Sequence, residues 1–273
     1  MKLVSTTEYL RWLVDTGQKL TLNDGKNVDV WKLNHENDDA VLSAWAKHFR
    51  NHYCLDSEID FFRRGFNFSR AEYLNKIKFP DRSIPPGPSI RAGDFSEILV
   101  ADYLQYILNF WVPRTRYADK NIRNESSKGS DVIGFKIFSK EQDSLDDTLA
   151  IYEVKAKFTG RVNNRLQDAV DHSSKDYIRI AESLNAIKQR LFLKGERDEA
   201  ISVERFQNSE DRPYKEIYGA VAVLSTELYD PIKESQTVAS NHRNPDKLTL
   251  LVIHGRDMMD LVHELYRRAA DEA

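Results

Sequence analysis

From Asp94 onward, apolar residues switch between helical and strand spacing in the order α-β-β-β-α-β-β-α, and few folds accept that order. The first helix falls at GDFSEILVADYLQYILNF, with Asp94 as its expected N-cap. Three strand candidates follow: WVPRTRYA, SDVIGFKIF and LAIYEVKAKF, each rich in β-branched or aromatic residues and bounded by polar turns such as NESSKGS and KEQDSLDD. A single long helix is expected next, because Leu166, Val170, Ser173, Tyr177, Ile180, Leu184, Ile187 and Leu191 step by fours and threes. YGAVAVLST and KLTLLVIHG read as buried strands, and a helix closes the chain near residues 256–270. These elements predict an α/β (α+β) fold with a central mixed sheet flanked by helices.

Four of the eight prolines fall in FPDRSIPPGPSIRAG, a stretch expected to support neither helix nor ladder. It is read as a connector over residues 81–92, dividing a small α+β segment (residues 1–80) from a larger part (residues 93–273). In the smaller part VDVWKL alternates like a strand, and DDAVLSAWAKHFRNHYC repeats apolar residues at helical spacing.

Composition serves mainly to exclude. With 40 basic and 43 acidic residues, the chain has a formal net charge of -3 and no global basic field, so any nucleic-acid contact must be local. The lone cysteine, Cys54, rules out an internal disulfide and points to a reducing, cytoplasmic compartment. Glu8 and Arg11 interrupt the start, and no run reaches the roughly 18 apolar residues of a membrane span. No GxSxG elbow, phosphate-binding glycine loop or dinucleotide fingerprint is present.

The strongest chemical signal is IYEVKAKF. On a strand, Glu153, Lys155 and Lys157 share one face, which sets a carboxylate beside an ammonium. A hard divalent cation takes carboxylate oxygens, while a neighbouring lysine positions water and offsets charge on a phosphate. Alone the tripeptide is common, and its bland reading is a solvated strand face. Asp131 strengthens it by opening the preceding strand just after Gly129. Glu97 has two readings: Asp94-Phe95-Ser96-Glu97 resembles a capping box, yet the stripe through Val100, Ala101, Leu104 and Leu108 should carry Glu97 towards the sheet, where a carboxylate needs a partner.

Taken together, these residues resemble the PD-(D/E)XK nuclease superfamily over about residues 91–226, with Ser130 where the name-giving proline would stand. GDFSEILVADYL, SDVIGF and YEVKAKFTG further resemble the nuclease subunits of Hachiman anti-phage systems, the HamA family, and the related AbpA proteins. The resemblance implies a restriction-endonuclease-like core and Mg²⁺- or Mn²⁺-dependent DNA cleavage, with a helicase-like partner of the HamB type encoded alongside. It implies Asp131, Glu153 and the Val154 backbone carbonyl as metal ligands, Lys155 as the residue that positions water or stabilises the phosphate, and Glu97 as a holder of water or of a second ion.

Between Lys155 and Arg190 eight basic residues oppose four acidic ones, and Lys157, Arg161, Arg165 and Lys175 are the expected phosphate contacts. Gln167 and His172 are weaker candidates. His48 and His52, spaced i, i+4 with Cys54 nearby, offer metal-ligand spacing, but an exposed aromatic-rich helix is the preferred reading. Two other functions stay open: a non-catalytic subunit of nuclease fold that binds a helicase or nucleic acid, and a sequence-specific restriction endonuclease.

Overall fold

The computed structural model describes residues 4–139 and 142–273, so the first two residues expected in a loop at KEQDSLDD lie outside the described residues. The chain runs β1 (Leu13–Thr21), β2 (Asn27–Leu33), α1 (Asp39–Tyr53), short helices α2 (Ile59–Arg63) and α3 (Arg70–Tyr73), then α4 (Gly87–Asp102). β3 (Val132–Lys136), β4 (Thr148–Lys157), α5 (Arg165–Ser173), α6 (Asp176–Leu193) and α7 (Arg197–Glu204) follow. β5 (Lys215–Ser225), α8 (Pro231–Ser235), β6 (Leu248–Gly255) and α9 (Met258–Asp271) complete it.

Among the described residues, six strands form one mixed sheet in the order β1-β2-β6-β5-β4-β3. The neighbours from β2 to β4 are parallel, and each edge strand is antiparallel to its neighbour. β5 and β6 lie at the centre because their apolar runs can be buried on both faces. Alternation along β4 sends Tyr152 and Val154 into the core beneath α1, α4 and α9, and Leu149 and Ile151 into the core beneath α5 and α6. No helix of the described residues is long and apolar enough to cross a membrane.

Several expectations are corrected. The proline-rich stretch does support helix: α4 starts at Gly87, with Pro86 as N-cap and Pro88 in its first turn, where a missing N–H costs nothing. Asp94 is therefore buried mid-helix and caps nothing. β1, which lacks clean alternation, was not foreseen; with β2 it extends the same sheet, and α1 packs against α9. WVPRTRYA is not a strand, for only Trp111 makes a bridge, to Phe135, while Arg114 and Arg116 turn towards α4. The long helix is two, broken at Ser174 and Lys175, and the break places Asp176 at a buried helix start. The helix bearing His48 is no exposed face, since Val41, Trp45, Phe49 and His52 are all buried.

Gly219 on β5 lies opposite Tyr152 on β4, and a Cβ there would come within 2.3 Å of the tyrosine ring. Gly219→Ala is expected to lower stability by about 1–3 kcal/mol through overpacking beside the Glu153 strand. Chemical denaturation measures it, and an unchanged midpoint would contradict the tight packing.

Candidate active site

Asp131, Glu153 and Lys155 gather where β3 begins and β4 runs on past it. Gly129 adopts φ +96°, a left-handed backbone suited to glycine, and turns the chain into β3. Asp131 then accepts a hydrogen bond on Oδ2 from the Val154 N–H at 2.9 Å, extending the ladder with a side chain. A strand residue directs its N–H and C=O to the same edge, so the Val154 carbonyl also faces the Asp131 side.

Glu153 is buried and pairs with Lys155 as the alternation required; His172 Nδ1, from α5, lies 3.4 Å from Glu153 Oε1. Burial pushes the Glu153 carboxyl up to about 8, and the charge of Asp131 adds to the push against the pull of Lys155. Glu97 sits well inside α4, beyond any cap, and accepts from the Tyr117 hydroxyl at 2.6 Å. Burial raises Glu97 too, up to about 8, outweighing the Arg116 charge that favours its ionised form.

Arg116 binds the two acidic sides together, and sequence reasoning missed it. Its Nε lies 2.9 Å from Glu97 Oε2, off the hydrogen-bonding axis and so an ion pair only, while Nη2 donates to Asp131 Oδ1 at 3.0 Å. The same guanidinium donates to the Ser127 and Ser130 carbonyls, fixing the loop that leads to Asp131. Two arginines in a run otherwise without charge, WVPRTRYA, are the available signal. Asp176 was also missed: Ser130 Oγ donates to its Oδ1 at 3.3 Å, but its buried Oδ2 has no partner. Burial pushes it up to about 6, with Asp131 adding repulsion.

Four carboxylates thus share two close cations, Arg116 and Lys155. Glu97, Asp131 and Glu153 do not converge as tightly as His48, His52 and Asp102, whose ligand atoms all lie within 4.8 Å. The looser set fits Mg²⁺, which commonly takes one or two carboxylates and keeps several waters. Asp131, Glu153 and the Val154 carbonyl would hold it, and Asp176, with one buried oxygen lacking a hydrogen-bond partner, lies beside them.

The expected phosphate contacts divide. Lys157 and Arg165 line a groove with Arg82 near the start of α4, and Arg165 also pairs with Asp168 at 2.7 Å. Arg161 and Lys175 are exposed, and among the described residues they and Lys157 form no ion pair. Gln167 is engaged with Asp171 and the Val238 N–H.

The HamA family profile matches residues 7–269, nearly the whole chain. The chain belongs to the HamA family. Membership ties it to anti-phage defence of the Hachiman type. A search of curated proteins finds no match. Within this HamA chain the profile covers every residue of the acidic site.

Proposed function

We propose that this HamA-family chain is a metal-dependent deoxyribonuclease of PD-(D/E)XK type, the effector of a defence system and restrained by a helicase-like partner. The observation that carries the reading is the Glu153–Lys155 pair, buried beside Asp131 with its carboxyl pushed up to about 8. A buried cluster of carboxyl groups that repel one another is what a hard divalent ion completes, by displacing the protons they hold. When bound, Mg²⁺ supplies Lewis-acid polarisation of the phosphate and a nucleophile at neutral pH.

The residues do the rest. Lys155 orients the attacking water and faces charge accumulating on phosphorus oxygens. Glu97, held by Tyr117 and Arg116, positions a second water. Arg161 and Lys175, both exposed, dock the DNA backbone without reading sequence. The DNA substrate and the helicase-like partner follow from the family resemblance.

The test is a plasmid incubated with the chain, its co-encoded partner and Mg²⁺. Nicking or degradation that EDTA stops is expected, and binding without cleavage in every condition would favour a scaffold role. Metal loading should also release protons at pH 7, because Glu153, raised to about 8, is protonated there until a cation displaces the proton. Isothermal titration in buffers of different ionisation enthalpy reads this as buffer-dependent heat, and equal heats would refute it. Without metal the sign of this site's contribution to the pH dependence of stability follows from the same shifts. Glu97 and Glu153 bind more protons folded than unfolded, so their own contribution to stability is fully present below their ordinary value of 4.5 and is lost as pH rises through about 8, opposite in sign to that of carboxylates held low, such as Asp102 and Glu264.

A further inference from the structure

A second cluster forms where α1 meets the end of α4. His48 and His52, one turn apart on α1, direct their Nε2 atoms at each other 3.3 Å apart, and His48 Nε2 also lies 3.0 Å from Asp102 Oδ1. Hydrogen bonding alone does not satisfy this arrangement. A proton on His48 Nε2 can point at Asp102 or at His52, but not at both. If the proton sits on His52 instead, the His48 lone pair faces a carboxylate oxygen. A cation among the three atoms accepts a lone pair from each.

Two of the three spacings, 3.0 and 3.3 Å, are close to what that solution requires, and all three ligand atoms lie within 4.8 Å of one another. Zinc–ligand bonds of about 2.0–2.1 Å in a tetrahedron put ligand atoms roughly 3.3–3.4 Å apart. We propose that His48, His52 and Asp102 form a site for a borderline divalent transition ion such as Zn²⁺, separate from the acidic cluster. Asp102 is oriented as a ligand should be: the Tyr9 hydroxyl donates to Oδ2, and Arg114 Nη2 donates to Oδ1 at 2.7 Å. Arg114 also donates to Gln105 Oε1, so it keeps a partner if the ion draws Asp102 away. Cys54, the ligand suggested by spacing, is not part of the site; its thiol contacts the Leu55 carbonyl at 3.8 Å. Partial exposure of His48 leaves the fourth position open to water.

Co²⁺ added to the metal-stripped full chain tests this. Wild type and Glu153→Gln should both show one tetrahedral Co²⁺ per chain, identified by its intense visible absorption, whatever else the acidic site binds. His52→Ala and His48→Gln should each weaken that binding at least about tenfold. Should His52→Ala fail to fold, the partly exposed His48→Gln carries the comparison. An anomalous-scattering peak among the three ligand atoms in Zn²⁺-soaked crystals of the wild type is the variant-free readout. Absence of that peak, or a tetrahedral Co²⁺ signal abolished by Glu153→Gln and untouched by the histidine variants, overturns the site. Neither readout depends on cleavage, so a failed nuclease assay leaves it standing.

Discussion

Glu153→Gln is expected to lower Mg²⁺-dependent DNA cleavage at least about a hundredfold, the loss of roughly 3 kcal/mol of charge stabilisation at the phosphate. The same substitution should leave the fold intact. Glutamine keeps the volume and removes a buried charge that Asp131 and Asp176 repel, so the melting temperature at pH 8 should hold or rise even though the Lys155 pair is lost. A purely structural Glu153 predicts the reverse, a destabilised protein with activity falling in proportion. Undiminished cleavage by Glu153→Gln would sink the assignment of this site.

Arg116→Ala should cost about 3–5 kcal/mol of stability, the penalty for stranding buried charge when one partner is removed. Its guanidinium serves Glu97, Asp131 and two backbone carbonyls at once, an arrangement that needs a planar fork. Arg116→Lys should therefore recover little. The loss should be smaller at pH 5 than at pH 8, because the freed carboxylates can take up protons, and millimolar Mg²⁺ should restore part of it by supplying charge to the same oxygens. Thermal melts across pH and Mg²⁺ measure this. A loss below about 1 kcal/mol that is indifferent to both would show that Arg116 is an ordinary surface pair.

What could be read from sequence was local. The alternation that pairs Glu153 with Lys155, and the placement of Asp131 at a strand start after a glycine, depend only on a period of two and a turn. Glu97 was readable as a residue but not as a role, because the start of its helix was misplaced; prolines that break a helix interior are tolerated in its first turn. Arg116 and Asp176 were illegible for a tertiary reason. Arg116 lies in a run with strand-like residues whose pairing is replaced by contacts to α4, and Asp176 is buried only because two residues interrupt a stripe that looks continuous. The histidines of α1 are not legible as a site because their third partner, Asp102, lies 54 positions beyond His48 and no spacing rule connects them.

Arg116 gives the chain a counter-ion of its own, and this separates maturation from loading. A newly made molecule can complete its fold with no divalent ion at hand, unlike small domains that stay unfolded until metal arrives. Under the proposed function, chelation should then disarm the acidic site without unfolding the chain, because the Arg116 pairs to Glu97 and Asp131 remain when the cation leaves.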